Sequence, residues 1–177
     1  MISSSTFSTS CGQRRHCPKR RPPIWPSKRS TRLDLADGRL VRVVVDVNVL
    51  ISAALSARGP SAEILRYSRE GEFELVVSEL LIAELTRALA YPKIRKRIPS
   101  EKAAAFVNWV RDHGAIAEDP ADPPSIRSPE PDDDYLLALA ISRHAYLVTG
   151  DQHLLGLTDD LPILTPAEFV IKLREYR

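Results

Sequence analysis

Residues 40 to 46 read Leu-Val-Arg-Val-Val-Val-Asp, a nearly unbroken apolar run that ends on a carboxylate. A strand with one wet face alternates apolar and polar residues. A continuous run belongs instead in the middle of a parallel sheet, where helices cover both faces. That constrains the chain to alternate strands with helices, and the rest of the sequence can be read against this expectation. A helix is expected to start after Gly59-Pro60-Ser61, with Ile64 and Leu65 on its apolar side and Gly71 closing it. Phe73 to Val77 reads as a second strand. Ser78 is a natural N-cap for a helix from Glu79 to Ala90, in which Leu81, Leu85 and Ala88 share a face and Pro92 ends the pattern. Another helix is expected from Ser100 to Gly114. The five prolines between Glu118 and Pro131 mark a loop.

After that loop the spacing predicts a helix over Asp132 to His144, a strand at Tyr146-Leu147-Val148 and a short strand at Pro162-Ile163-Leu164. Thr165-Pro166-Ala167-Glu168 has the form of a capping box with proline at the first helical position, opening a terminal helix. The fold class that follows is α/β: a three-layer α/β/α sandwich with a mainly parallel central sheet.

Charge divides the chain. Of 25 Lys plus Arg, eight lie in residues 1 to 32 (Arg14, Arg15, Lys19, Arg20, Arg21, Lys28, Arg29, Arg32), which hold no acid; the remaining 17 face all 23 Asp plus Glu. Residues 1–40 are rich in Ser, Arg and Pro without helical or strand period. They read as a disordered basic extension, either an RNA-touching arm or a stretch upstream of the native start, followed by one domain over 41–177. Cys11 and Cys17 are the only cysteines, and with His16 they lack the four-ligand spacing of a structural zinc site. No disulfide framework is expected. No apolar run reaches about 18 residues, so a membrane span is not expected, and a cytoplasmic protein is.

In open parallel sheets functional groups gather at the carboxyl ends of the strands. Asp46 closes the first strand and Asp151 follows the strand at Tyr146. Asp132, Asp133 and Asp134 open a helix, and Glu84 lies mid-helix among apolar neighbours. Several carboxylates converging in one place repel each other and bind protons more tightly unless a cation is present. Mg2+ or Mn2+, which favour hard oxygen ligands and bind phosphate oxygens, suit such a set and point to hydrolysis of a phosphodiester.

Four segments then resemble the PIN-domain nucleases, especially the VapC-like toxin components: Val-Val-Asp46-Val-Asn48-Val-Leu, Ser78-Glu-Leu-Leu-Ile-Ala-Glu84-Leu, Asp132-Asp133-Asp134-Tyr-Leu-Leu-Ala-Leu-Ala and Val-Thr149-Gly150-Asp151-Gln-His-Leu-Leu. The resemblance runs from about Leu40 to the C-terminus, and it is the order of all four that makes it specific. It implies a PIN-like fold and a metal-dependent endoribonuclease, the toxin of a toxin-antitoxin pair, with RNA as substrate, a cognate antitoxin as partner and a homodimeric state. It implies that Asp46, Glu84, Asp133 and Asp151 are catalytic. Asp46, Asp133 and Asp151 would hold Mg2+ or Mn2+, Glu84 would act on the attacking water, and Asn48 and Thr149 would support the cluster by hydrogen bonds. Asp133 matches best because Leu136 supplies the apolar residue three positions on; Asp132 and Asp134 stay open. Val47 departs from the family, where a small hydroxyl residue often follows the first Asp.

Lys93, Arg95, Lys96 and Arg97 form a basic cluster able to hold RNA phosphates. Phe106 and Trp109 read as core or dimer contacts, and the histidines show no ligand spacing. Two alternatives stand beside the nuclease. One is a catalytically weak RNA-binding or regulatory domain of the same family. The other is a haloacid-dehalogenase-like phosphatase, which would need an Asp where Asn48 stands.

Overall fold

The computed structural model describes residues 40–175. The basic extension expected over residues 1–40, with Cys11, His16 and Cys17, lies outside the described residues except for Leu40. The strands are β1 (Arg42–Val45), β2 (Glu74–Ser78), β3 (Ala115–Ala117), β4 (Tyr146–Val148) and β5 (Ile163–Leu164). They form one sheet in the order β3-β2-β1-β4-β5, every neighbouring pair parallel. The expected first run is therefore the central strand. Val43, Val44 and Val45 are all buried although successive side chains point to opposite faces, so both faces are covered and the architecture is the expected α/β/α sandwich. Arg42 interrupts the run where the strand begins, and its guanidinium donates to Glu74 on β2 (2.9 Å).

Between β1 and β2 the chain makes α1 (Val47–Leu55) and α2 (Pro60–Arg69). α1 was not expected. Its sequence, VNVLISAAL, is apolar nearly all round and continues the composition of the strand before it, so no helical period stands out. α2 is bracketed by Gly59 and Gly71, both at positive φ (103° and 77°), which leave the backbone free to turn into and out of the helix. α3 (Glu79–Leu89) is capped by Ser78, whose Oγ accepts the Leu81 N–H (3.3 Å).

A short α4 (Pro92–Arg95) leads to α5 (Ser100–His113), which packs on α3 as an antiparallel hairpin. Arg111 ties its base to Glu79 with two hydrogen bonds (2.7 and 2.9 Å). Phe106, Trp109 and His113 stack along α5, with neighbouring ring centroids 6.3 and 4.7 Å apart. β3 was also unexpected, being three residues long and therefore too short to show alternation.

The segment expected as one helix from Asp132 begins as a 3-10 turn (Pro131–Asp133) and becomes α6 (Asp134–Arg143), ending where His144 takes a left-handed conformation (φ 52°). α7 (Gln152–Leu155) and α8 (Pro166–Glu175) follow. The expected capping box is present: Thr165 Oγ1 accepts the Glu168 N–H (3.2 Å) and Glu168 Oε2 accepts the Thr165 N–H (2.8 Å). Among the described residues no helix is long and apolar enough to cross a membrane.

Connectivity decides where a site can form. From β1 the chain winds to β2 and β3 on one side, then crosses back to β4 and β5 on the other. The winding reverses between β1 and β4, and the crevice beyond their carboxyl ends is where such sheets receive ligands. The sheet is held against its helices by residues such as Phe169 of α8, fully buried and edge-to-face with Phe73 (5.2 Å). Phe169→Ala is expected to destabilise the fold by about 3–5 kcal/mol in urea denaturation. Ile171→Ala, two residues on and 55% exposed, should change it by less than about 0.5 kcal/mol; equal losses would contradict this packing.

Candidate active site

Thr149 is the hub of the crevice. It follows β4, is fully buried, and its hydroxyl has one proton to give. That proton goes to Asp46 Oδ2 (2.5 Å), while Thr149 Oγ1 itself accepts the N–H of Asp151 (3.0 Å). One side chain thus links the acid after β1 to the acid after β4, and the Asp46 N–H donating to Val148 O (2.9 Å) locks the two strand ends together. Asp46 is 4% exposed and caps α1, its Oδ1 accepting the N–H of Asn48 (2.9 Å). Burial raises its pKa. The bonds from Thr149 and Asn48 oppose that rise, and the charges of Glu84 and Asp151 add to it.

Asn48 therefore supports Asp46 through its backbone, a contribution any residue but proline makes at that position. Its side chain is exposed. Asp151 caps α7, accepting the N–H groups of His153 (2.7 Å) and Leu154 (3.4 Å) on Oδ1.

The three consecutive aspartates have separate fates. Asp132 is exposed. Asp134 accepts from Arg127 (2.5 Å) and from the Ser128 N–H (2.8 Å), pinning the proline-rich loop to the start of α6. Asp133 makes no capping bond. Burial first, then the charges of Asp46, Asp151, Glu130 and Glu84, push its pKa up to about 6. The four charges that raise it are all carboxylates. Glu84, half-buried on α3, contributes to the rise at both Asp46 and Asp133. The structure thus brings Asp46, Glu84, Asp133 and Asp151 into one electrostatic cluster.

Two members of the site went unread in the sequence. Tyr135 donates its hydroxyl to Glu84 Oε2, and burial together with the Glu84 charge raises the pKa of that hydroxyl far above the usual phenolic range. A tyrosine beside an acidic run whose hydroxyl needs a partner was the available signal. Glu130 acts on Asp133 and also pairs with His153 (3.4 Å) at the exposed rim. No sequence signal marks it, because the path of a proline-rich loop cannot be read from its composition.

The donor set is carboxylate oxygen throughout, short of positive charge, and so chemically fit for a hard divalent cation. As they stand, no three carboxylate, imidazole or thiol groups among the described residues converge closely enough to chelate one ion. Such cations keep several of their waters, and these bridge to carboxylates that do not touch the ion directly.

The basic cluster lies elsewhere. Lys93, Arg95, Lys96 and Arg97 are exposed at the tip of the α3–α5 hairpin, past the far end of α3. From Glu84 to that end is roughly 8 Å along the helix axis, at about 1.5 Å per residue.

Residues 42–153 match the profile of the PIN domain. An uncharacterized protein of Methanocaldococcus jannaschii is 25% identical over 146 residues, spanning 77% of this chain and 94% of its own. In three dimensions the chain resembles VapBC2 from Rickettsia felis, solved bound to a DNA fragment from their promoter (TM-score 0.52, 13% identity, 71% of this chain and 98% of that one). It also resembles PAE2754 from Pyrobaculum aerophilum (TM-score 0.54, 19% identity, 76% and 98%). At these identities the likeness is one of fold.

Asp133 makes the cluster measurable. The folded protein holds its proton up to about pH 6, whereas an unfolded chain releases it at about 3.9. Unfolding therefore releases a proton within that window, and the Asp133 contribution to stability falls as pH rises through it. In chelator-treated protein, Asp133→Asn should gain stability relative to wild type between about pH 4 and about pH 6.5. The gain is moderated by solvent screening at a half-exposed group. A difference in urea midpoint that stays constant across this range would show that the proton is not held there.

Proposed function

The chain belongs to the PIN-domain family, and from that premise we propose that it is a Mg2+- or Mn2+-dependent endoribonuclease, the toxin component of a VapBC-like toxin-antitoxin pair. PIN domains are in general nucleases. The observation that carries the reading is the gathering of Asp46, Glu84, Asp133 and Asp151 at the reversal point of the sheet, with the Asp133 carboxyl pushed up to about 6 by burial and then by its acidic neighbours. The VapC-like motifs and the likeness of fold to VapBC2 support an antitoxin as partner. RNA as substrate, a homodimer and a cytoplasmic site of action complete the proposal.

In this reading Asp46, Asp133 and Asp151 hold the cation, directly or through water. When bound, it offsets the carboxylate charge, polarises the scissile phosphate and acidifies water. The chain's own groups do the rest. Thr149 donates to Asp46 Oδ2, which favours its ionised form and fixes that oxygen at the crevice. Glu84 takes the proton of the attacking water on Oε1, the oxygen not engaged by Tyr135. The water oxygen bonds to phosphorus, the P–O3′ bond breaks, and the departing 3′ oxygen takes a proton from solvent, leaving a 5′-phosphate. Lys93, Arg95, Lys96 and Arg97 contact phosphates further along the strand, outside the reacting centre.

The second reading, an RNA-binding or regulatory PIN domain with weak turnover, is favoured by one observation: the carboxylates stand too far apart to chelate an ion as placed. The phosphatase alternative falls with the family assignment, and Asn48 stands where its second Asp would be.

The deciding measurement is RNA cleavage by purified wild type, Asp46→Asn and Asp151→Asn, with Mn2+ or Mg2+ and with a chelator. Wild type is expected to cut only with metal, and each variant to lose on the order of 100-fold or more. RNA binding without cleavage would favour the second reading, and equal cutting by all three proteins would expose a contaminating nuclease and sink the proposal.

A further inference from the structure

Glu84 hangs on three rotatable bonds and faces two other carboxylates, Asp46 and Asp133, whose charges act against its own. One of its oxygens accepts a hydrogen bond from Tyr135, which sits in the first turn of α6, 51 residues further along the chain. The Tyr135 ring is half-buried against the hydrophobic core, so the hydroxyl is presented from a fixed body rather than from a flexible stem. We propose that Tyr135 is a positioning residue: by donating to Oε2 it holds Glu84 in the crevice and leaves Oε1 facing the other carboxylates, where the attacking water is deprotonated. This rests on the nuclease reading above.

The chemistry of the donor favours this role. A lysine or arginine in the same place would also hold Glu84, but its charge would neutralise part of the cluster and compete with a cation for it. A phenol restrains the carboxylate while adding no charge. Its hydroxyl carries a single proton, and that proton is committed to Glu84. The bond also joins α3, which carries Glu84, to the start of α6, beside Asp133, so one contact sets the spacing between two sides of the site. A purely structural tie would stabilise the fold without acting through Glu84 on the reaction.

The test is a double-mutant cycle on the full chain: wild type, Tyr135→Phe, Glu84→Gln and the double variant, each assayed for RNA cleavage with Mn2+ and for unfolding in urea. Tyr135→Phe keeps the ring and removes only the hydroxyl. It is expected to lower kcat about 10-fold, as loss of a partner that orients a reacting group does, with KM nearly unchanged. In the Glu84→Gln background the same change should have no further effect on kcat. If wild type cleaves and Tyr135→Phe matches it, or slows cleavage equally in both backgrounds, the positioning role is overturned while the nuclease reading stands. If wild type does not cleave at all, the nuclease reading fails and the positioning role falls with it. The urea midpoints check the tether without reference to activity: non-additive shifts are expected, and additive ones would overturn it.

Discussion

A carboxylate can stay charged in a protein interior only if hydrogen bonds or a cation replace the water it has lost. Asp46 imposes that condition here, because it ends the central strand and is almost fully buried. Thr149 and the Asn48 N–H supply two hydrogen bonds. The Asn48 bond is local, two residues away in the first turn of α1, whereas Thr149 reaches Asp46 only once β4 lies beside β1. The pairing of β1 with β4 is thus the geometric requirement for keeping this acid where it is. Hydrogen bonding offsets only part of the desolvation, and the Asp46 pKa remains raised. The remainder is a standing demand for positive charge at the crevice.

Around that acid the three aspartates at the start of α6 divide their work. Successive residues of a helix point about 100° apart, so neighbours in sequence cannot all face one site. Asp133 turns toward the other acids, while Asp134 turns to Arg127 and Ser128 and fastens the proline-rich loop. That loop ends at Glu130, which is one of the four charges acting on Asp133 and meets His153 at the rim. An acidic run that reads as redundant in one dimension therefore shapes the site twice, once by its charge and once by bringing in the loop.

How much of this was legible follows from which physical signals are local. β1 and β2 were readable because burial on both faces leaves a continuous apolar run, and α3 because Ser78 caps a periodic segment. α1 was not, since a helix buried on most sides shows no period, and β3 was not, since three residues show no alternation. Asp46, Glu84, Asp151 and the run Asp132 to Asp134 stand out in the sequence at a strand end, a helix start or among apolar neighbours, and the resemblance to PIN domains is what implies the set 46, 84, 133 and 151. Which of Asp132, Asp133 and Asp134 turns inward was open, because it depends on the loop that Asp134 captures. The contact from Tyr135 to Glu84 spans 51 residues and the one from Thr149 to Asp46 spans 103; such pairings are properties of the assembled sheet. Asn48 shows the converse, a polar residue whose contribution to the site comes from its backbone.

The placement of charge completes the physical account. Residues 33–177 carry 17 Lys and Arg against 23 Asp and Glu, and the groups acting on Asp133 are all acids. A phosphodiester approaching this crevice meets like charge, and the nearest named basic cluster stands at the tip of the α3–α5 hairpin. On the reading proposed above, compensation at the centre would come from a cation held by these acids. A neutral donor such as Tyr135 fits that reading: it bonds to Glu84 without discharging the acids, and so would preserve their attraction for a cation.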